Sequence, residues 1–183
     1  MPALQPPAVD LNFSAPGFDL PGVDGKRYTL SGLRGQHGLL VMFICNHCPY
    51  VKAIIDRLVR DTRELLAHGV NSVAIMSNDA VNYPEDSLDN MRRVAGEFGF
   101  PFPYLYDESQ DVARAYGAIC TPDFFGFNGD LKLRFRGRLD ASRITPAPNA
   151  PREMFDGMLH VARTGEAPEN QIPSIGCSIK WRA

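Results

Sequence analysis

An apolar run, GLLVMFIC at residues 38–45, leads directly into a long stretch with helical periodicity. The run has no polar residue and starts at Gly38, which is typical of a strand buried on both faces of a largely parallel sheet. Beyond it, apolar residues recur at helical spacing until Gly69 offers a helix stop. These apolar positions are Val51, Ile54, Ile55, Leu58, Val59, Leu65 and Leu66. A buried strand followed by an amphipathic helix predicts an α/β layer.

The rest of the chain extends this pattern. We predict a strand at 70–77, a helix at 84–99, a short strand at 102–107 and a short helix at 109–117. A hairpin around Asn128 and Gly129 follows, and then a last helix that ends near Gly165. Before the first strand, LPGVDGKRYTL predicts a hairpin turning at Asp24 and Gly25. We therefore predict an α/β fold with a central mixed β-sheet flanked by helices and an added N-terminal β-hairpin.

The length suits one domain. With 183 residues and 44% hydrophobic content, the chain can bury one substantial core. Proline and glycine cluster near the beginning, and the last residues lack periodicity. We predict an extended segment at 1–17, one domain at 18–165 and an irregular tail at 166–183.

Charge and hydropathy narrow the range of partners. The 19 Lys and Arg residues nearly balance the 21 Asp and Glu residues, and no basic block occurs. We therefore expect no nucleic-acid and no membrane partner. The first residues have neither the basic nor the apolar part of a secretory signal, so we expect a cytoplasmic location. Four cysteines in such a chain suit catalysis or metal binding better than a disulfide scaffold. We expect no cofactor.

Cys45 and Cys48 form a C-x-x-C motif at the junction of the strand and the helix. Free N–H groups at a helix start favour a thiolate, and this spacing lets one sulfur resolve a mixed disulfide on the other. His47 lies between the two cysteines, where an imidazolium would stabilise the thiolate; the alternative is a surface histidine at a loop tip. Pro49 suits the first helical position, which would make Cys48 the N-cap, but a helix that begins at Cys45 would reverse the roles. The pattern leaves open which sulfur attacks.

The chain resembles the thioredoxin superfamily, specifically its redoxin branch of alkyl hydroperoxide reductase and thiol-specific antioxidant proteins. The resemblance covers residues 18–140 and depends on the hairpin FDLPGVDGKRYTL, the motif CNHCP, the Thr121-Pro122 dipeptide and the Asn-Gly hairpin. It implies a thioredoxin-like fold with a cis proline at Pro122, packed against the dithiol. It also implies that the backbone of Thr121 binds an extended peptide substrate.

The motif also resembles the T-x-x-C-P motif of peroxiredoxins. By this comparison Cys48 takes the peroxidatic position, and Cys45 replaces the threonine. The resemblance implies an arginine over the peroxidatic sulfur, for which Arg134, Arg136 and Arg138 are the candidates. Alternation along the strand instead favours solvent-facing positions for all three.

Three functions follow from these residues. The first is a thiol-disulfide oxidoreductase acting on protein or small-molecule thiols and disulfides through Cys45 and Cys48. The second is a peroxidase that reduces hydroperoxides through Cys48. The third is a module in which Cys45, His47 and Cys48, with Cys120, hold a soft metal; one C-x-x-C supplies only half of a structural site, so we expect no metal.

Two further thiols are candidates for redox chemistry. Cys120 precedes the predicted cis proline, where it could form an alternative disulfide or fill space in the core. Cys177 lies on the tail, where it could be a resolving cysteine or an inert thiol.

Overall fold

The computed structural model describes residues 2–183. Its strands are β1 (Ala3–Leu4), β2 (Asp19–Pro21), β3 (Arg27–Thr29), β4 (Gly38–Phe43), β5 (Val70–Met76), β6 (Tyr104–Tyr106), β7 (Cys120–Thr121), β8 (Asp123–Asn128), β9 (Leu133–Phe135) and β10 (Gly176–Ser178). Its α-helices are α1 (Leu30–Leu33), α2 (Pro49–Lys52), α3 (Ile55–Leu66), α4 (Leu88–Phe98), α5 (Asp111–Tyr116) and α6 (Glu153–Thr164), with a 3₁₀ turn at Pro84–Asp86. Within residues 2–183, no helix has both the length and the apolar character needed to cross a bilayer.

The central sheet has the order β6-β5-β4-β8-β9. Strand β4 is parallel to β5 and antiparallel to β8, and β5 is parallel to β6. The sheet is therefore mixed, and β2 with β3 forms the added hairpin before it. These observations confirm the predicted α/β architecture.

The alternating residues of β4 build two cores, one on each face of the sheet. Leu40 and Met42 belong to the core that also holds Cys45 and Cys48 and that α3, α4 and α6 cover. Leu39 and Val41 face the other core, which α1 and α5 cover. The long apolar run thus has a core on both sides, as its composition predicts.

The prediction of one long helix after the motif is wrong, because the structure has two helices there. Helix α2 ends at Lys52, and α3 begins at Ile55. Between them Ile54 departs from helical dihedrals, with φ −122° and ψ −5°. The carbonyl of Ala53 accepts a hydrogen bond of 2.9 Å from Nη2 of Arg57, a buried side chain. This side-chain bond occupies a carbonyl at the break and stabilises the end of α2.

The C-terminal segment contains a short strand that the sequence did not predict. Strand β10 lies between β1 and β7, antiparallel to both, and forms a separate three-stranded sheet with them. Residues 166–183 are therefore irregular only in part, and they return to the C-x-x-C motif. The predicted domain boundaries themselves stay a prediction.

Candidate functional site

Cys48 is the N-cap of α2, with Pro49 at the first helical position. This resolves the alternative that the sequence left open about where the helix begins. Because α2 is only four residues long, the aligned peptide dipoles of the long helix that we predicted do not point at Cys48. The sulfur is instead surrounded by individual hydrogen-bond donors.

Cys45 and Cys48 form a tightly coupled pair, and both side chains are buried, with 3% and 0% of their surface exposed. A hydrogen bond from the Cys45 thiol lowers the pKa of Cys48 to about 5, with further help from the thiol and backbone N–H of Cys177. The same bond to Cys48, followed by burial, raises the pKa of Cys45 well above its ordinary value. One proton is therefore shared by the pair, and the negative charge resides mainly on Cys48.

The Thr121-Pro122 peptide bond is cis, as the resemblance implies, and it lies against the pair. The hydroxyl oxygen of Thr121 lies 3.4 Å from the Cys45 sulfur, and the backbone carbonyl oxygen of Thr121 lies 3.2 Å from the Cys48 sulfur. The carbonyl favours the protonated form of Cys48, whereas the N–H and S–H donors favour its thiolate. The donors outnumber this acceptor, which agrees with the lowered pKa of Cys48.

The Cys48 and Cys177 sulfurs lie only 3.1 Å apart. Burial, and then the hydrogen bond with Cys48 and the charge of Cys48, raise the pKa of Cys177 to about 11. Cys120 is fully buried, its thiol lies 3.6 Å from the carbonyl oxygen of Pro122, and burial raises its pKa. Of the two extra thiols, Cys177 contacts the pair, and Cys120 fills core space behind the proline.

His47 contacts Asp86, a fully buried carboxylate that the sequence did not single out. Its Nδ1 lies 2.8 Å from Oδ2 of Asp86 in an ion pair, although the N–H direction is not that of a hydrogen bond. This contact raises the pKa of His47. The Asp86 carboxylate also accepts bonds from the Asn46 backbone N–H, at 2.8 Å, and from the Asn78 amide, at 2.9 Å. Asp86 thus fixes the loop between the two cysteines, and the positive charge of His47 is balanced locally.

Asp86 is one of 21 acidic residues, and nothing in its sequence neighbourhood distinguishes it. We expect Asp86→Asn to lower the pKa of His47 toward its ordinary value of about 6.5. Since the wild-type pKa of His47 is raised on folding, its stabilising contribution is present below about pH 6.5 and is lost as the pH rises through the folded value. The stability deficit of Asp86→Asn that comes from His47 should therefore be largest in acid. Titration of the His47 ring by NMR measures the shift; Glu85→Gln, which removes a charge that contributes less to the same pKa, should give a smaller shift.

Three potential metal ligands meet beside the motif. The donor atoms of Cys45, His47 and Asp86 lie within 4.8 Å of one another. This set differs from the predicted one, since Asp86 takes the place of Cys48 and Cys120. Both Asp86 oxygens already accept hydrogen bonds from Asn46 and Asn78, and these bonds compete with a metal.

A cavity of about 370 Å³ reaches the motif from the side of α4. Cys45 lines it together with the apolar side chains of Phe98, Phe100 and Tyr104, and Arg93 lies at the same cavity. A larger cavity, of about 630 Å³, lies beside α6 and is lined by no cysteine among the described residues. Of these two cavities, only the smaller one is lined by a cysteine of the motif.

The three arginines proposed for a peroxidatic site are engaged elsewhere. Arg134 donates to the carbonyl oxygens of Gly165 and Leu11. Arg136 pairs with buried Asp123 at 3.1 Å, and Arg138 forms two 2.8 Å bonds with Glu153. Each guanidinium thus has partners other than a cysteine sulfur.

A family model described as the AhpC/TSA family matches residues 12–136. The chain belongs to the AhpC/TSA family. This membership confirms the predicted redoxin relationship and an oxidoreductase enzyme. The match covers the hairpin, the motif, the cis proline and β9, but it ends before α6 and β10. Cys177 therefore lies outside the part of this AhpC/TSA protein that matches the family.

Relatives of this AhpC/TSA protein agree with the assignment. The thiol-disulfide oxidoreductase ResA of Geobacillus thermodenitrificans is 28% identical over 146 residues, which are 75% of each chain. A solved structure of an uncharacterized conserved protein from Geobacillus kaustophilus is 48% identical, with a TM-score of 0.89 and coverage of 100% of this chain and 97% of that chain. The thioredoxin domain of a Bacteroides vulgatus thiol-disulfide oxidoreductase is 14% identical, with a TM-score of 0.59 over 74% of this chain and 91% of that chain. This last likeness concerns the fold, which is thioredoxin-like as predicted.

Proposed function

We propose that the protein catalyses thiol-disulfide exchange through Cys45 and Cys48. The observation that supports this most directly is the contact between a protonated sulfur and a negatively charged one beside the cis proline. Two sulfurs in contact can break a substrate disulfide and then form their own. The name of the ResA relatives, thiol-disulfide oxidoreductase, supports the same activity.

We assign the attack to Cys45 and the resolving step to Cys48, because Cys45 is the sulfur that lines the 370 Å³ cavity. As Cys45 bonds to one substrate sulfur, its proton passes to Cys48 and the second substrate sulfur leaves as a thiolate. Cys48 gives up this proton to the leaving thiolate and then attacks Cys45. The substrate is released as one thiol and one thiolate, which takes up a proton from water, and the disulfide between Cys45 and Cys48 holds the two oxidising equivalents.

The substrates in this proposal are protein or small-molecule disulfides. The apolar walls at Phe98 and Phe100 favour a disulfide that carries an apolar neighbour. The reducing equivalents come from an external thiol, and the cytoplasm, where thiols are kept reduced, is the compartment that we propose.

Reduction of hydroperoxides through Cys48 is the second candidate. The lowered pKa of Cys48 favours it, since a thiolate is the species that peroxide oxidises. Two features weigh against it. Cys48 is completely buried, and the bonds of Arg134, Arg136 and Arg138 go to other groups.

Turnover with dithiothreitol as the reductant distinguishes the two functions. We expect the protein to accelerate reduction of the interchain disulfides of insulin and to leave the rate of hydrogen peroxide consumption at the level of dithiothreitol alone. Cys120→Ala, which removes the core thiol, is the control and should retain the insulin activity. Peroxide consumption above background, with insulin reduction unchanged from the uncatalysed rate, would favour the peroxidase instead.

A further inference from the structure

Strand β10 occupies the edge at which a peptide substrate is expected to dock. The resemblance implies that the backbone of Thr121 binds an extended peptide, yet Cys177 is the residue that pairs with Thr121, and Ser178 pairs with Cys120. Addition of a strand to a free edge is a common mode of peptide recognition. The protein's own C-terminal segment therefore lies where a substrate strand would lie, with a cysteine next to the dithiol.

The close approach of β10 is built into the sequence around Cys177. A side chain at Gly176 would collide with the carbonyl oxygen of Thr121, so only glycine permits this separation. On its other edge β10 pairs with β1, where Ala3 is the partner of Cys177. The backbone N–H of Cys177 also helps to lower the pKa of Cys48. Cys177 is thus fixed on both sides with its sulfur 3.1 Å from that of Cys48.

The three sulfurs differ in access. Cys45 lines the 370 Å³ cavity, Cys48 is completely buried, and Cys177 is partly exposed beyond Cys48. We propose that Cys177 is a third redox cysteine, which takes over the disulfide from Cys45 and Cys48 and presents it to the external thiol that reduces the enzyme. This inference deepens the proposed function and rests on it.

The proposed step is an exchange without net oxidation. The Cys177 thiolate attacks the Cys48 sulfur of the disulfide between Cys45 and Cys48. A bond forms between Cys48 and Cys177, the bond between Cys45 and Cys48 breaks, and Cys45 leaves as a thiolate that takes up a proton. An external thiol then attacks Cys177, forms a mixed disulfide with it and releases Cys48 as a thiol. A second equivalent of that thiol attacks the mixed disulfide and releases Cys177. The external thiol is oxidised to its disulfide, and Cys48 and Cys177 return to the reduced state.

The electrostatics of the site fit this order of events. In the reduced protein the charge of Cys48 helps to raise the pKa of Cys177 to about 11, which keeps Cys177 protonated. Formation of the disulfide between Cys45 and Cys48 removes that charge. Cys177 then ionises more readily, so it becomes a nucleophile when there is a disulfide for it to attack.

Oxidation of the Cys45→Ser variant tests the new bond directly. After treatment of the full-length protein with the thiol oxidant diamide, we expect peptide mapping without reduction to find Cys48 linked to Cys177 in most molecules. Cys120 should remain a free thiol and serves as the internal control. The double variant Cys45→Ser/Cys177→Ser should give no such intramolecular link. A preparation of Cys45→Ser in which Cys48 and Cys177 both stay free, or react separately, would overturn the proposal.

A second variant tests whether the placement of β10 controls the rate at which Cys48 and Cys177 become linked. Gly176→Ala forces β10 away from Thr121, so in the Cys45→Ser background we expect it to slow formation of the link by about tenfold to a hundredfold. Far-ultraviolet circular dichroism of Gly176→Ala alone should match that of the wild type, which shows that the domain is folded, and the dithiol of Cys45 and Cys48 should still oxidise in it. An unchanged rate of link formation in this variant would contradict the role of β10.

The failure of this inference is distinguishable from that of the proposed function. With insulin as substrate, Cys177→Ser should lower turnover about tenfold while the dithiol still oxidises and reduces. Full turnover in Cys177→Ser would reject the third cysteine and leave the exchange activity intact. Wild-type protein that forms the link between Cys48 and Cys177 but never reduces insulin would reject the proposed function alone.

Discussion

Replacement of Cys48 with serine is expected to reduce insulin turnover by at least about a thousandfold. Cys48 is the sulfur common to both disulfides in the proposed cycle, since it contacts Cys45 on one side and Cys177 on the other. A serine hydroxyl does not ionise near neutral pH and cannot form a disulfide, so neither the resolving step nor the transfer to Cys177 remains. The loss should exceed that of Cys177→Ser by about two orders of magnitude.

The same variant identifies the attacking sulfur. If Cys45 attacks, Cys48→Ser should accumulate a mixed disulfide on Cys45 when it is mixed with oxidised glutathione, which intact-mass and peptide analysis measure. Cys120→Ala, which leaves all three reacting sulfurs in place, is the matched control and should form no lasting adduct. An adduct on Cys177 with Cys45 free would mean that the external disulfide enters from the other side.

The ionisation of Cys48 in the reduced protein should be visible in a pH titration. Ultraviolet absorbance of the thiolate in the reduced protein should titrate with a midpoint of about 5. Because this folded pKa lies below the unfolded value, the stability that it contributes to the reduced protein is fully present only above the unfolded value of about 8.5. This contribution to stability is lost as the pH falls toward about 5, the pKa of Cys48 in the folded protein. The absorbance change should vanish in Cys48→Ser and persist in Cys120→Ala.

The largest expected effect on stability comes from Arg136→Met. Arg136 and Asp123 form a pair in which the carboxylate is completely buried, and the guanidinium also lies 4.3 Å above the ring of Phe125. Removal of the cation leaves an unpaired buried charge, which typically costs about 3–5 kcal/mol. Chemical denaturation of the reduced protein measures this loss. Arg27→Ala breaks an exposed pair with Asp19 and should cost less than about 1 kcal/mol.

The deficit of Arg136→Met should grow with pH. Burial raises the pKa of Asp123 to about 6 even in the presence of Arg136. For a carboxyl group whose folded pKa is raised, the stabilising contribution is present below the unfolded value and is lost as the pH rises through the folded value. Without Arg136 the folded pKa rises further, so the variant approaches the wild type in acid and falls behind it above about pH 6. A deficit independent of pH would mean that packing on Phe125, not charge, carries the effect.

Local patterns in the sequence were sufficient for the elements around the motif. The apolar run before Cys45, the proline after Cys48 and the Asn-Gly pair at 128–129 have strong local preferences, and the structure has β4, the N-cap and the β8 to β9 hairpin at these places. Such preferences are fixed by backbone sterics and by alternation of buried positions, so neighbouring residues determine them.

The features that the sequence did not predict depend on contacts between distant parts of the chain. Asp86 meets His47 and Asn46 across about forty positions, and Cys177 meets Cys48 across 129. Strand β10 has three residues, too few for an alternating pattern to identify. At the break before α3, Arg57 donates to the carbonyl of Ala53, and its buried side chain pairs with Asp140, 83 positions away. The residues next to each of these positions in the sequence do not indicate these distant partners.

The break between α2 and α3 has a mechanical consequence for the redox cycle. Formation of a disulfide draws two sulfurs from contact distance to a bond of about 2.05 Å, so the backbone that carries Cys48 has to move slightly. Because α2 has only four residues and ends before Ile55, we expect this motion to be absorbed in one helical turn. We expect helix α3 and the core that it covers to stay in place, so that the oxidised and reduced proteins differ only beside the sulfurs.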